Sequence, residues 1–238
     1  MSAFLENKSA VVTGGTRGIG RAIAKALAEA GAQVAVCDRH PEPTAAAAIE
    51  IQNETGARVV GQAADVSRIE DVRAFFQFVD REFGGLDILV NNAGIGIFGS
   101  VAELEPADWE RTIGTNLSGV YYCSREALHR FGNRGGGSII NISSLAGKNA
   151  FAGGAAYNAS KFGLTGFSEA LMQDHRHQNV KVSYVMPGSV ATEFGGGDAG
   201  ASWKIAPQDV AEVVVAILRM PERTLISRVE MRPSRPSK

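Results

Sequence analysis

Short apolar runs of β-forming residues alternate along this chain with longer segments whose apolar residues recur at helical spacing. The short runs fall at Ala10–Thr13, Gln33–Cys37, Arg58–Gln62, Leu86–Asn91, Ser138–Ser143, Lys181–Met186 and Leu225–Glu230. The first, fourth and fifth have almost no polar interruption, as expected of strands covered on both faces. Strands that alternate with helices build a parallel sheet, with helices packed on its faces. The pattern predicts an α/β fold: a doubly wound, parallel seven-stranded sheet with helices on both faces.

The helical segments carry their own punctuation. Ile19, Ala22, Ile23, Ala26, Leu27 and Ala30 form one apolar stripe, and Gly31 supplies its C-terminal stop. Ser67 to Glu70 has the spacing of a capping box, opening a helix with Val72, Phe75, Phe76, Val79 and Phe83 inward. Gly84-Gly85 ends it. Longer helices are expected around Asp108–Phe131 and Ala155–Gln178, and a last one from Pro207 to Arg219, with proline at its start. No internal repeat or composition break divides the 238 residues, so one domain over 1–238 is expected.

Composition removes several function classes. A net charge of −1 leaves no electrostatic footprint for nucleic acid or an acidic membrane. The one basic cluster, Arg232, Arg235 and Lys238 interleaved with Pro233 and Pro236, reads as a frayed terminus. No apolar run is long enough to span a bilayer, and Met1 to Lys8 lacks the basic-then-apolar layout of a signal peptide. Cys37 and Cys123 cannot make a disulfide framework and read as reduced packing thiols, so a cytoplasmic protein is expected. His175 and His177 have no cysteine or carboxylate constellation around them, and no metal site is expected.

Thr13-Gly14-Gly15-Thr16-Arg17-Gly18-Ile19-Gly20 lies directly after the first strand and opens the first helix. Glycine at 14 lets the chain turn sharply, and glycines at 18 and 20 let backbone approach a pyrophosphate, which the helix N-terminus attracts. The second strand ends in Cys37-Asp38-Arg39. An acidic side chain there accepts hydrogen bonds from both adenosine ribose hydroxyls, which favours NAD and repels a 2′-phosphate. Arg39 and Arg17 carry the opposite signal, since either guanidinium can pair with that phosphate, so NADP stays open.

Tyr157 and Lys161 lie four residues apart, on one face of a helix. A free tyrosine, with a pKa of about 10, is a poor acid–base catalyst at neutral pH. A lysine beside it favours the phenolate and is expected to move that value toward the working range. Ser144 precedes the tyrosine by thirteen residues.

With these residues in place, the chain resembles the short-chain dehydrogenase/reductase family, in its short, non-extended branch. The glycine turn matches that family's Thr-Gly-x-x-x-Gly-x-Gly. Asp65-Val66 resembles the pair that contacts adenine, and Asn91-Asn92-Ala93-Gly94 the segment that supports the cofactor and central sheet. Asn116, within Thr115-Asn116-Leu117, matches the catalytic asparagine, and Ser144 the catalytic serine by its spacing to Tyr157. Pro187-Gly188, Val190 and Thr192 resemble the stretch that meets the nicotinamide carboxamide. The match runs from about residue 8 to about residue 193, with the motifs in order.

The resemblance implies a Rossmann fold and an NAD(P)-dependent oxidoreductase acting on a ketone or secondary alcohol. Tyr157 would exchange the proton, and Lys161 would lower its pKa and bond the nicotinamide ribose. Ser144 would bond the substrate oxygen, with the neighbouring Ser143 turned toward structure. Asn116 would hold a water connecting Lys161 to solvent. A homo-dimer or homo-tetramer built on the two longest helices is expected from the family. The chain departs from the pattern beyond Thr192, where a short lid, about 193–206 with its Gly195-Gly196-Gly197 run, replaces a longer covering segment. Substrate identity stays open between 3-oxoacyl thioesters, sugars and simple ketones, with Phe98, Phe151 and Phe194 as pocket-lining candidates. The competing reading from another class is a catalytically silent dinucleotide-binding regulatory protein.

Overall fold

The computed structural model describes residues 3–236. Seven strands, β1 (Ser9–Thr13), β2 (Gln33–Cys37), β3 (Val59–Gly61), β4 (Ile88–Asn91), β5 (Gly137–Ile142), β6 (Val180–Pro187) and β7 (Arg228–Met231), form one sheet in the order β3-β2-β1-β4-β5-β6-β7. All six pairings are parallel. The helices are α1 (Gly18–Glu29), α2 (Pro41–Thr55), α3 (Ile69–Phe83), α4 (Pro106–Ile113), α5 (Gly119–Phe131), α6 (Ala155–His175) and α7 (Pro207–Leu218).

Successive strand residues point to opposite faces, and each face has its own core. Val12, Val36, Val90, Ile140 and Val185 pack under Ile23 and Leu27 of α1, Ile51 of α2 and Val214 of α7. Val11, Ala35, Leu89, Ile139 and Val182 pack on the other side, against Phe75 and Phe76 of α3, Cys123 and Phe131 of α5 and Leu171 of α6. Both cysteines are buried and unpaired, and burial pushes the Cys37 thiol up to about 12.

Four local expectations are corrected. The helix α2 goes unanticipated because its buried face is Thr44, Ala47, Ala48 and Ile51, too alanine-rich to read as a stripe. No capping box forms at Ser67: its hydroxyl donates to Asp65 Oδ1 (2.7 Å), and α3 begins one residue past Arg68 instead. The helix expected from Asp108 to Phe131 carries a π turn over Gly114–Ser118, between α4 and α5. The last strand begins at Arg228 rather than Leu225. Of the basic tail, Lys238 lies outside the described residues, as do Met1 and Ser2 at the other end.

Candidate active site

Strand order reverses at β1, which lies between β2 and β4, and open parallel sheets bind ligands beyond the carboxyl ends of the strands at such a point. The glycine turn leaves β1 there. Gly14 has φ +63°, and a side chain on it would come within 2.9 Å of Ala93 Cα. A Cβ on Gly20 would sit 2.0 Å from the Gly14 carbonyl oxygen, so the turn folds tightly onto the helix it opens. The helix α1 begins with Arg17 extended, with no side-chain cap and no acidic residue in the first turn. Its first N–H groups are therefore left for an anion, and a pyrophosphate fits that donor set.

Asn92 and Ala93 close the turn from the β4 side, while Gly94 lies against Asn116, whose Oδ1 would be 3.3 Å from a Cβ on that glycine. Thr13 Oγ1 accepts from the N–H groups of Asn92 and Ala93 (3.0 Å each), and Asn92 Nδ2 donates to the Thr13 and Gly14 carbonyls (3.0 Å each). At the end of β2, Asp38 is held on both oxygens: Thr16 Oγ1 donates to Oδ2 (3.0 Å) and the Arg39 N–H to Oδ1 (2.7 Å). Arg17 pairs with Glu193 (3.2 Å), both side chains being well exposed. Asp65 accepts from the N–H and hydroxyl of Ser67, while Val66 is buried and lies where a Cβ on Gly119 would touch it at 2.9 Å. Pro187 ends β6, the Gly188 N–H bonds the Met231 carbonyl (2.9 Å), and Val190 bridges to Ile205 at the base of segment 193–206. Thr192 sits beside Gly18, its methyl 3.3 Å from where a Cβ on that glycine would be. Ile19, next to that glycine in α1, is half-buried and packs against the core beneath the sheet.

The structure brings Ser144, Tyr157 and Lys161 together past the end of β5. Lys161 is 5% exposed, its ammonium donates to the Ile142 carbonyl (2.9 Å), and it lies 5.7 Å from the Tyr157 ring centre. Burial lowers its pKa from 10.5 to about 8. Tyr157 behaves otherwise than the lysine pairing predicts. Burial raises its pKa, and the group that opposes the rise is the Ser144 hydroxyl, by hydrogen bonding. The lysine's ammonium is turned to a backbone carbonyl, so it does not offset the burial of the phenol. Ser143, next door, is buried with its hydroxyl unpartnered among the described residues.

Asn116 lies in the π turn, a feature frequent at functional sites. Its side chain is committed: Nδ2 donates to the Ile95 carbonyl (2.9 Å) and to Ser160 Oγ (3.1 Å), while Oδ1 accepts from the Ile95 N–H (2.8 Å). Both amide hydrogens being spent, the side chain keeps only spare acceptor capacity for a water. Ser160 in turn donates to the Tyr157 carbonyl (2.7 Å), so Asn116 ties the chain after β4 to the helix that carries the tyrosine. Ile95 and Ser160 were not among the sequence candidates, and an unremarkable serine three residues after a tyrosine offers little signal.

An α/β protein with a glycine turn fit for a pyrophosphate, and a half-buried Tyr and Ser beside a buried Lys at the same sheet edge, has the make-up of a dinucleotide-dependent oxidoreductase. A family model for short chain dehydrogenases matches residues 8–199. An uncharacterized oxidoreductase of Staphylococcus saprophyticus is 34% identical over 230 residues, covering 96% of this chain and 98% of that one. A 3-oxoacyl-[acyl-carrier-protein] reductase of Chlamydia muridarum is 36% identical over 194 residues, 82% of this chain and 78% of its own. Among solved structures, a metagenomic short-chain oxidoreductase in complex with NADP superposes with a TM-score of 0.87 at 38% identity, covering 99% of this chain and 100% of that one. The chain belongs to the short-chain dehydrogenase/reductase family and is an NAD(P)-dependent oxidoreductase of alcohols and ketones. No helix among the described residues is long and apolar enough to cross a membrane.

Proposed function

We propose that the chain, acting as one catalytic domain over 1–238, reduces a ketone or oxidises a secondary alcohol with Tyr157 as general acid or base. The carrying observation is the gathering of Ser144, Tyr157 and Lys161 at the sheet edge that also bears the glycine turn. When bound, the nicotinamide supplies or accepts the hydride. The N-terminal amides of α1 hold the pyrophosphate, and Pro187, Gly188, Val190 and Thr192 border the nicotinamide end. Burial keeps the Tyr157 phenol protonated at neutral pH, which suits proton donation to a carbonyl oxygen. Ser144 fixes that oxygen by hydrogen bonding, and Lys161 orients the ribose and exchanges a proton, its lowered pKa placing it near balance at mildly alkaline pH. Asn116 positions the tyrosine helix through Ser160.

NAD is the preferred cofactor in this reading, because the fixed Asp38 carboxylate faces the place of the adenosine ribose and repels a 2′-phosphate. NADP is the second reading: Arg39 is exposed and makes no ion pair among the described residues, and a close structural relative holds NADP. The segment 193–206 acts as a short lid pinched at its base by Val190 and Ile205. The protein works as a cytoplasmic homo-oligomer, with exposed Tyr121 of α5 and Phe162 of α6 at its contact; sedimentation of a lone monomer would overturn that part.

The test follows nicotinamide absorbance with a panel of ketones and alcohols, using NAD and NADP in turn. Net turnover is expected, faster with NAD, and Asp38→Ala should shift the preference toward NADP by about tenfold, one close charge contact. Cofactor binding with no turnover of any substrate would overturn the reading in favour of a regulatory role.

A further inference from the structure

Three phenylalanines surround the phenol that moves the proton. Ring centres of Phe98 and Phe194 each lie 5.7 Å from that of Tyr157, and Phe151 lies 6.5 Å away, with Phe98 meeting the tyrosine nearly edge-on at 76°. Each of the three is 43–47% exposed. Clustered about one phenol, the three rings leave a contiguous apolar surface in water at the reacting group, the kind of patch that marks a ligand site.

Their placement is built into the backbone. A Cβ on Gly96 would meet Phe194 at 2.7 Å and Phe98 at 2.9 Å, one on Gly195 would meet Phe98 at 2.6 Å, and one on Gly154 would meet Phe151 at 2.6 Å. Each ring therefore rests against a glycine that has no side chain to compete with it. The loops bearing Phe98 and Phe151 are joined by the Gly99 N–H to the Gly153 carbonyl (2.7 Å), and Asn158 Nδ2 holds the Phe151 carbonyl (3.0 Å). The rings are preorganised, which reduces the entropy lost on binding.

We propose that Phe98, Phe151 and Phe194 form a substrate collar selecting ketones and secondary alcohols with an aromatic or comparably broad apolar ring beside the reacting carbon. The proposal rests on the oxidoreductase reading above and names its substrate class. A planar ring entering this collar adds edge-to-face and tilted ring contacts of the kind Tyr157 already makes with the three phenylalanines. A polyol there would lose water without gaining hydrogen-bond partners from the rings, and a linear acyl thioester would fill the collar poorly.

The experiment measures kcat/KM for 1-phenylethanone, acetone, erythrulose and the N-acetylcysteamine thioester of 3-oxobutanoate. The proteins are the wild type, Phe98→Ala, Phe194→Ala and, to keep apolar bulk should truncation harm folding, Phe98→Leu. The wild type should favour the phenyl ketone over acetone by about 100-fold, the contribution of one buried ring. Each alanine variant should reduce that ratio about tenfold, chiefly through KM for the phenyl ketone. A wild type that prefers the thioester or erythrulose, or a ratio unmoved in every variant, overturns the collar and leaves the oxidoreductase reading standing. No turnover of the phenyl ketone by a wild type that turns over other ketones or alcohols of the wider panel overturns the collar alone, whereas no turnover of anything in that panel overturns the oxidoreductase reading as well.

Discussion

At the amino end of the sheet, Asp87 is 8% exposed and accepts from the Ser9 N–H (3.0 Å), the Ser9 hydroxyl (3.1 Å) and the Lys8 ammonium (3.0 Å). Burial alone would raise its pKa, yet the bonds from Ser9 and Lys8 outweigh it and hold the carboxyl below its ordinary value. At the carboxyl end, burial prevails: it raises the Tyr157 phenol and lowers the Lys161 ammonium to about 8. One sheet therefore carries buried ionisable groups of two kinds. Where partners are supplied in full, the charged form is locked and the group ties strands together. Where they are supplied in part, the charged form is disfavoured and the proton becomes movable, which is the property acid–base chemistry needs.

The comparison is broken most directly at Tyr157. Tyr157→Phe should lower turnover by about 100-fold or more, the usual contribution of a positioned acid–base group, with dinucleotide affinity retained in a fluorescence titration. Robust activity in that variant would remove the carboxyl end from the chemistry. At the amino end, Asp87→Ala should instead cost about 2 kcal/mol of stability by stranding the buried Ser9 donors, seen as a lower midpoint in urea denaturation, while kcat stays near that of the wild type. A loss of kcat without a loss of stability would erase the distinction between the two ends. The smallest effect sharpens it. Lys161 titrates at about 8 when folded, against an ordinary 10.5, so between these values the unfolded chain holds a proton that the folded one lacks. Stability from this residue should therefore rise as pH climbs through that window, the cost of the buried ammonium being full below about 8 and gone above 10.5. Lys161→Met should flatten the rise in denaturation midpoints across the same range. An equal slope in both proteins would mean that the lysine is not the titrating group.

Much of this architecture is legible in the sequence, for physical reasons that differ by element. The strands β1, β4 and β5 announce themselves because they are covered on both faces, and their apolar runs lie within a few residues of the observed limits. The helix α2 is silent because alanines facing a sheet need no large side chains to fill the space. Gly14, Gly18 and Gly20 are readable, since a tight turn and a close approach permit few other residues. The π turn at Asn116 is not, because the side chain there is held by Ile95, 21 residues away in sequence, a contact that no local spacing rule reports. The pull of Lys161 toward the Ile142 carbonyl is equally hidden: four-residue spacing places the amine near the phenol without saying which oxygen it will choose.

The short bond from Gly99 to the carbonyl of Gly153 has a consequence for anyone reshaping this enzyme. Residues 98–100 and 151–154 would have to be exchanged together, because grafting either stretch alone from a relative would leave one half of that clasp without its mate, and the Asn158 hold on the Phe151 carbonyl would have to be kept.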